Sequence, residues 1–269
     1  MNEWELKPEE IKERLDDMTW SFSRVNSANQ CAYAWYLQYI AGYEPKPNAY
    51  AQYGTVCHET LEKFLKGELN IFNAVQYYQE KFPEIVTCDF PPNKYKDLGE
   101  AAYTLGEEYF SNIEFDFDKY EILGVERELK FNVGKYPFHG FADVILKDKE
   151  TGEIIITDHK TTSFKYLLKT GEVSSKDREH FEQFKKQLYL YSIPLIEEYG
   201  KVDYLCWNMI RDKKIIKIPW NKKEYKETIE WCIQSIKKLE NEVLWLPDTS
   251  KSFWCGQICS MGNVCTYKQ

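Results

Sequence analysis

Two neighbouring strand-like segments each carry one aspartate inside an apolar run, and this pattern constrains the fold more than any other feature. Asp143 lies in the run Gly-Phe-Ala-Asp-Val-Ile, and Asp158 follows Ile-Ile-Ile-Thr and precedes His159 and Lys160. The polar connection 147–152 ends in glycine and is typical of a hairpin. Because strand side chains alternate, Asp158 and Lys160 should share one face with Asp143, while the His159 side chain should point to the other.

This arrangement of charges predicts a cation site. Two half-buried carboxylates cost free energy unless they are paired or bind a metal, and carboxylate oxygens suit Mg²⁺ or Mn²⁺. Beside a metal-bound water that attacks phosphorus, the ammonium of Lys160 could orient the nucleophile and stabilise charge on the phosphoryl oxygens. The simpler alternative is an ion pair between Asp158 and Lys160 at the edge of the sheet.

The rest of the chain predicts a mixed α/β fold. Periodicity and turn residues predict helices over 8–17, 23–41 with Ser23 as N-cap, 54–65, 71–81 and about 94–112. Strands are predicted over 120–133, 136–146, 153–159, 202–209 and 214–218, and further helices over 175–199 and 222–242. Since no long linker interrupts the chain, we expect one domain over 1–269, with a helical N-terminal region 1–115, a core 116–242 and a tail 243–269.

Composition limits the function classes. The chain is 43% apolar, carries a net charge of −8 and has no apolar run long enough to cross a membrane, so we expect a cytoplasmic protein. Basic residues outnumber acidic ones seven to four in 160–186 and seven to three in 211–228, which predicts a local surface for phosphates; solvated helix faces are the alternative. Aromatic residues near these segments could stack on bases, although most should be core, and we assign them no individual role: Phe164, Tyr166, Tyr189 and Trp207.

Four short segments in a fixed order carry a family resemblance. They are Gly-Thr-Val-Cys-His58-Glu-Thr-Leu, Gly-Phe-Ala-Asp143, Asp158-His-Lys160-Thr-Thr and Gln187-Leu-Tyr-Leu-Tyr191. Together they resemble the RecB-type nucleases of the PD-(D/E)xK superfamily over a span from about Ser21 to Cys265. The chain is most similar to the stand-alone CRISPR-adaptation nucleases and to the AddB nuclease domain.

The resemblance implies a fold and a role for each motif residue. It implies a restriction-endonuclease-like core in which a central mixed sheet is flanked by helices. It implies that Asp143, Asp158 and His58 bind the catalytic metal, that the backbone carbonyl of His159 completes its shell, and that Lys160 is the catalytic lysine. Gln187 and Tyr191 would lie beside the active site and hold substrate, and Glu126 is a further acidic candidate. The alternatives are a structural role for His58 and an amphipathic helix surface for Gln187 and Tyr191.

Three cysteines lie close together in the last fifteen residues of the sequence. Cys255, Cys259 and Cys265 lie within eleven residues, and related nucleases take a fourth ligand from the early helical region, where Cys31 is the candidate. The resemblance favours a [4Fe–4S] cluster that ties the tail to the N-terminal region, while Zn²⁺ is the alternative occupant. Three residues separate Cys255 from Cys259, where relatives usually have two.

These observations lead to one expected function and two alternatives. We expect a Mg²⁺- or Mn²⁺-dependent DNA nuclease, an exonuclease acting on single strands or free ends. A helicase, recombinase or CRISPR-adaptation partner would supply unwinding, because the sequence has no ATP-binding phosphate loop, and an oligomer is compatible with this function. The alternatives are a non-catalytic, metal-stapled nucleic-acid-binding subunit of a recombination or repair complex, and a redox protein.

Overall fold

The computed structural model describes residues 6–164, 173–175, 177–250 and 252–268. The elements in chain order are α1 (Pro8–Asp16), α2 (Phe22–Gln30), α3 (Ala32–Trp35), a π-helical turn (Tyr36–Ile40), α4 (Ala49–Leu65), α5 (Ile71–Ile85), α6 (Leu98–Phe110), β1 (Tyr120–Val133), β2 (Tyr136–Asp148), β3 (Ile154–Lys160), α7 (Arg178–Tyr199), β4 (Tyr204–Met209), a 3₁₀ turn (Ile210–Asp212), β5 (Lys214–Pro219), α8 (Lys222–Glu240) and a second π-helical turn (Trp254–Ile258). The predicted mixed α/β fold is confirmed. No helix among the described residues is long and apolar enough to cross a membrane.

The five strands form one mixed sheet in the order β1-β2-β3-β4-β5. Strand β2 pairs antiparallel with β3, β3 pairs parallel with β4, and β4 pairs antiparallel with β5. The parallel step requires a crossover connection, which contains α7. Strand β3 is central, and its residues from Ile154 to His159 are all buried. A central position explains the apolar run, since side chains on both faces of such a strand pack against other elements.

The predicted helix over 23–41 is wrong in two details. Ser21, not Ser23, is the N-cap, because its side chain accepts a hydrogen bond from the backbone N–H of Arg24 and the helix begins at Phe22. The helix then breaks at Cys31, whose extended backbone separates α2 from α3. Ser21 and Ser23 are equivalent by residue type, so only the local backbone identifies the cap.

Contacts divide the chain into two compact units. The first contains Met1–Pro47, Lys130–Gly140 and Lys226–Gln269, and the second contains Asn48–Leu129 and Phe141–Tyr225. In the first unit, Trp35 stacks on Trp20 with 6.1 Å between ring centroids and on Trp245 with 5.4 Å. The indole stack therefore joins the early and late segments of that unit. The single folding domain over 1–269 stays a prediction.

The core of the second unit packs α4, α5 and α6 against the sheet. Its fully buried members include Val56, Cys57, Tyr78, Phe110 and Ile210. Helix α4 begins where Asn48 accepts a hydrogen bond from the backbone N–H of Ala51. His58 lies in the middle of α4, and the packing of the buried face of this helix fixes its position.

Candidate active site

The adjacent strands β2 and β3 bring Asp143 and Asp158 together. The paired segment runs from Lys147 with Ile154 to Val144 with Thr157, so each aspartate is the next residue of its strand. There the backbone N–H of His159 donates to Asp143 Oδ2 at 2.6 Å. Asp143 is 7% exposed and Asp158 is 3% exposed, so the two carboxylates are buried near one another.

His58 and Glu126 complete a group around Asp143. His58 Nδ1 lies 3.5 Å from Glu126 Oε1 and 3.6 Å from Asp143 Oδ2. Glu126 has a φ of 47°, a conformation that a non-glycine residue in a strand rarely adopts and that is frequent at functional sites. One ligand atom from each of these three residues lies within 4.8 Å of the other two. One imidazole nitrogen and two carboxylate oxygens could hold a divalent metal.

The orientation of the His58 ring fits a ligand role. Its Nε2 donates to the backbone carbonyl of His159 at 3.0 Å, and its Nδ1 faces the carboxylates of Glu126 and Asp143. Metal-binding imidazoles commonly donate their second N–H to a backbone carbonyl or carboxylate, which fixes the ring. The same His159 carbonyl is the one predicted to complete the metal shell, and that role stays a prediction.

Electrostatics also favours an added positive charge. Burial, with the charge of Asp158, raises the pKa of Asp143 to about 7 despite the opposing effect of His58 and Lys160. Burial lowers the pKa of His58, but Glu126 and the charges of Asp143 and Asp158 outweigh it and raise the pKa to about 9. Both shifts mean that protons bind tightly where carboxylates are crowded, and a divalent cation would neutralise the same charge.

Asp158 and Lys160 are linked through helix α7. Gln187 Nε2 donates to Asp158 Oδ1 at 3.0 Å, and Lys160 Nζ donates to Gln187 Oε1 at 3.1 Å. Lys160 Nζ also lies 2.6 Å from Asp158 Oδ2 and forms an ion pair with it, although the geometry at that oxygen is not that of a hydrogen bond. The same ammonium lies 4.9 Å from the centre of the Phe184 ring. The ion pair exists, but it lies on the central strand and not at an edge. The ammonium is therefore held at a fixed point beside the carboxylates.

Tyr191 lies one helical turn after Gln187 and faces the same group. Burial raises its pKa, and the charges of Asp158 and Asp143 raise it further, while hydrogen bonding with Gln187 and the Phe141 backbone lowers it. The phenol therefore stays protonated beside the carboxylates. Tyr191 is buried and Gln187 is half-buried, so this pair lies beside the carboxylates and not on an exposed helix face.

The side chain of His159 lies on the opposite face of β3. Its Nδ1 is 3.0 Å from Asn208 Nδ2, and Asn208 also donates to the hydroxyl of Tyr109 at 2.6 Å. Burial lowers the pKa of His159 well below the usual value, so the imidazole is uncharged. Alternation along the strand predicts this orientation.

The four cysteines of the predicted cluster all lie in the first unit. Cys31 is buried, and its Sγ accepts hydrogen bonds from the backbone N–H groups of Ala34 and Asp248, each at 3.4 Å. Burial raises the pKa of Cys259, and the charges of Cys31, Cys255 and Cys265 raise it further. The four thiols are therefore within electrostatic reach, although no three of these described sulfurs lie within 4.8 Å of one another.

The structure describes the predicted phosphate surface and its aromatic residues only in part. The basic segment 160–186 contains residues outside the described ranges, among them Tyr166. Phe164, Tyr189 and Trp207 are buried, as most aromatic residues were expected to be. Sequence reasoning did not identify the contact of Asn208 with His159, and no motif signals it.

Comparison with known proteins identifies the family and the fold. Residues 19–266 match the PD-(D/E)XK nuclease superfamily. A crystal structure from Eubacterium rectale, whose protein carries a provisional exonuclease designation, aligns with a TM-score of 0.54 and 15% identity over 100% of this chain and 94% of that one. A comparison with curated proteins finds no match.

The match extends over most of the chain and contains every residue of the site described above. The chain belongs to the PD-(D/E)XK nuclease superfamily. The likeness to the Eubacterium rectale structure supports the same fold.

Metal binding should stabilise the folded protein through Glu126. We expect Mn²⁺ at about 100 times its Kd to raise the free energy of unfolding by about 2.7 kcal/mol, and Glu126→Gln to lose most of that gain. The matched control is Glu121→Gln, which alters an exposed carboxylate of the same strand. Thermal unfolding with and without Mn²⁺ measures the gain, and an equal gain in Glu126→Gln would remove Glu126 from the metal site.

Without metal, stability should fall as pH rises. Asp143 and His58 have pKa values of about 7 and about 9, above the ordinary values of 3.8 and 6.5, so the folded state binds their protons more tightly than the unfolded state. The contribution of Asp143 should disappear between about pH 4 and 7, and that of His58 between about pH 6.5 and 9. Chemical unfolding in EDTA at several pH values measures this slope. A double variant, His58→Asn with Asp143→Asn, should show a flatter slope than the wild type, and an equal slope would contradict the assignment.

Proposed function

We propose that this protein is a divalent-metal-dependent DNA nuclease that hydrolyses phosphodiester bonds. The observation that carries the proposal is the group of half-buried His58 and Glu126 with buried Asp143, beside Asp158 and the anchored Lys160. Membership in a nuclease superfamily supports the reaction class. Mg²⁺ or Mn²⁺ is the proposed metal, because the donors are mainly carboxylate oxygens.

The proposed roles follow from the contacts. His58, Glu126 and Asp143 would hold the metal, and Asp158 would add a carboxylate from the adjacent strand. The bound metal would supply an activated water and neutralise charge on the phosphate. Lys160, held by Gln187 and stacked over Phe184, would place its ammonium beside the attacked phosphoryl group and stabilise charge that develops there. Tyr191 would donate a hydrogen bond from its phenolic hydroxyl to a substrate phosphate oxygen.

The position of Gln187 favours catalysis over the binding-subunit alternative. Its amide joins Asp158 and Lys160 at once, at 3.0 and 3.1 Å, so both side chains are kept in one geometry. A protein that only bound nucleic acid would not need a half-buried lysine beside two buried carboxylates, where charge burial is costly. We therefore favour a catalytic nuclease over a protein that only binds nucleic acid.

We further propose an exonuclease that acts on single strands or free ends. The exonuclease designation of the Eubacterium rectale protein supports this choice, and the sequence has no helix or motif typical of base reading. Three further expectations stay predictions of the sequence. They are a helicase, recombinase or CRISPR-adaptation partner, a closer kinship with RecB-type and AddB nucleases, and a cytoplasmic location.

We also propose that Cys31, Cys255, Cys259 and Cys265 hold a [4Fe–4S] cluster. The two N–H groups that donate to Cys31 Sγ would stabilise a thiolate ligand. A zinc ion with Zn–S bonds of about 2.3 Å would bring tetrahedral sulfurs to about 3.8 Å from one another. The resemblance to cluster-binding nucleases favours the [4Fe–4S] cluster over zinc. The role would be structural, since the four ligands come from both ends of the chain.

Lys160 should be essential for cleavage and dispensable for folding. We expect Lys160→Met to lower the rate by at least about 10²-fold, because it removes the ammonium beside the reacting phosphate. Lys147→Met, on the exposed face of β2, is the matched control and should cleave at the wild-type rate. The measurement is cleavage of end-labelled single- and double-stranded linear DNA with Mg²⁺, Mn²⁺ or EDTA, with closed circular DNA to detect internal cuts.

Three outcomes would overturn parts of the nuclease proposal. Wild-type turnover by Lys160→Met would remove the lysine from the mechanism. DNA binding without cleavage in any metal would favour the non-catalytic subunit. Rapid cleavage of closed circles would replace the exonuclease with an endonuclease.

The cluster should depend on the four proposed cysteines and on no others. We expect Cys31→Ala or Cys259→Ala to lose the brown chromophore near 400 nm and to lower soluble yield, because metal binding contributes to folding. Cys88→Ala, at a partly exposed cysteine of the second unit, is the control and should keep the chromophore. Iron and sulfide analysis of anaerobically purified protein measures the content, and a full cluster in both variants would contradict the assignment.

A further inference from the structure

One aromatic side chain close to the metal candidates is exposed. Phe141 lies two residues before Asp143 on β2 and is 47% exposed. By contrast, the aromatic residues near the basic segments are buried where the structure describes them: Phe164, Tyr189 and Trp207. An exposed phenylalanine alone indicates no function, because single apolar side chains are common on protein surfaces. The position of Phe141 relative to Asp143 therefore decides its role.

Strand geometry places the Phe141 ring on the face of the sheet that carries Asp143. Side chains alternate along a strand, so residues 141 and 143 share a face, and their Cα atoms are roughly 7 Å apart. Ala142 and Val144 belong to the other face, and both are at most 2% exposed. Asp143 is one of the three candidate metal ligands. The ring is therefore accessible to solvent within one strand repeat of the candidate metal site.

Helix α7 holds the backbone of Phe141 beside the same site. Burial raises the pKa of Tyr191, and hydrogen bonding with Gln187 and with the Phe141 backbone lowers it. Gln187 in turn donates to Asp158 Oδ1 at 3.0 Å. The backbone of Phe141 is thus connected through Tyr191 and Gln187 to the buried carboxylates, whereas its ring stays accessible to a ligand. These residues all belong to the second unit.

The chemistry of the ring suits the face of a nucleobase. A strand whose phosphate lies at the metal carries its bases beside that phosphate, where the exposed ring is close. Every base has a π-face and stacks on an aromatic side chain without regard to sequence. The phenyl ring has no polar atom, so it cannot read the hydrogen-bonding edge of a base. A base can stack on a side chain only when it is splayed out of a duplex.

We propose that Phe141 is a stacking platform for one unpaired base next to the phosphate that is cleaved. This inference rests on the proposed nuclease function and deepens it, because it assigns a residue to the proposed choice of single strands or free ends. Phe141 holds the substrate and takes no part in the chemical step. The ring should therefore contribute to affinity only when the strand carries bases.

Two single strands of equal length test the proposal, one with ordinary bases and one built entirely of abasic units. Fluorescence anisotropy with the full-length protein in Ca²⁺ and in EDTA measures both dissociation constants, and gel analysis verifies that the strands stay intact. We expect Phe141→Ala to weaken binding of the ordinary strand about five- to a hundredfold, because one base–aromatic stack is lost. Binding of the abasic strand should change less than about twofold.

Further variants separate stacking from packing. Phe141→Leu keeps an apolar side chain without a ring and should behave like Phe141→Ala, whereas Phe141→Trp should restore binding of the ordinary strand. The matched control is Phe117→Ala, at a phenylalanine that is 46% exposed and packs against Phe115, and it should bind both strands like the wild type.

The outcomes distinguish this inference from the nuclease proposal. Equal weakening of both strands by Phe141→Ala would mean a structural role for Phe141, and unchanged binding of the ordinary strand would mean no role; either result would overturn the inference. Selective weakening of the ordinary strand without cleavage in Mg²⁺ or Mn²⁺ would support the stacking platform and refute the nuclease. Cleavage without selective weakening would do the reverse.

Discussion

The repulsion between two buried carboxylates is the constraint on which the rest of the site depends. Asp143 and Asp158 are both less than a tenth exposed, and the charge of Asp158 helps to raise the pKa of Asp143 to about 7. Such a pair needs neighbours that supply positive charge or donated protons. The structure supplies them from four sources: the His159 backbone, the His58 ring, the Lys160 ammonium and the Gln187 amide.

These neighbours come from different elements, and this explains why the fold is needed to build the site. Strands β2 and β3 bring the acids together, α4 supplies His58, and α7 supplies Gln187. The parallel pairing of β3 with β4 requires a crossover, and that crossover contains α7. The parallel pairing of β3 with β4 therefore explains both the order of the sheet and the position of α7, which supplies Gln187 to the site.

Much of this arrangement could be predicted from the sequence, because it depends on local periodicity. Alternation along β3 separates Asp158 and Lys160 from His159, and the hairpin before β3 brings Asp143 close. Glu126 could be named only as a further acidic candidate. Its contact with His58 depends on a backbone φ of 47°, which the residue type does not indicate. The break at Cys31 also depends on tertiary packing, which a single sequence does not express.

The most direct test of this account is a crystal structure of the protein soaked in Mn²⁺, with anomalous data collected at the manganese edge. We expect one strong anomalous peak bound by His58, Glu126 and Asp143, with Asp158 beside it and Lys160 within reach of a bound phosphate or sulfate. A structure at the same Mn²⁺ concentration with no peak at these residues, or with manganese bound only elsewhere, would contradict the claim that the buried carboxylates form a metal site.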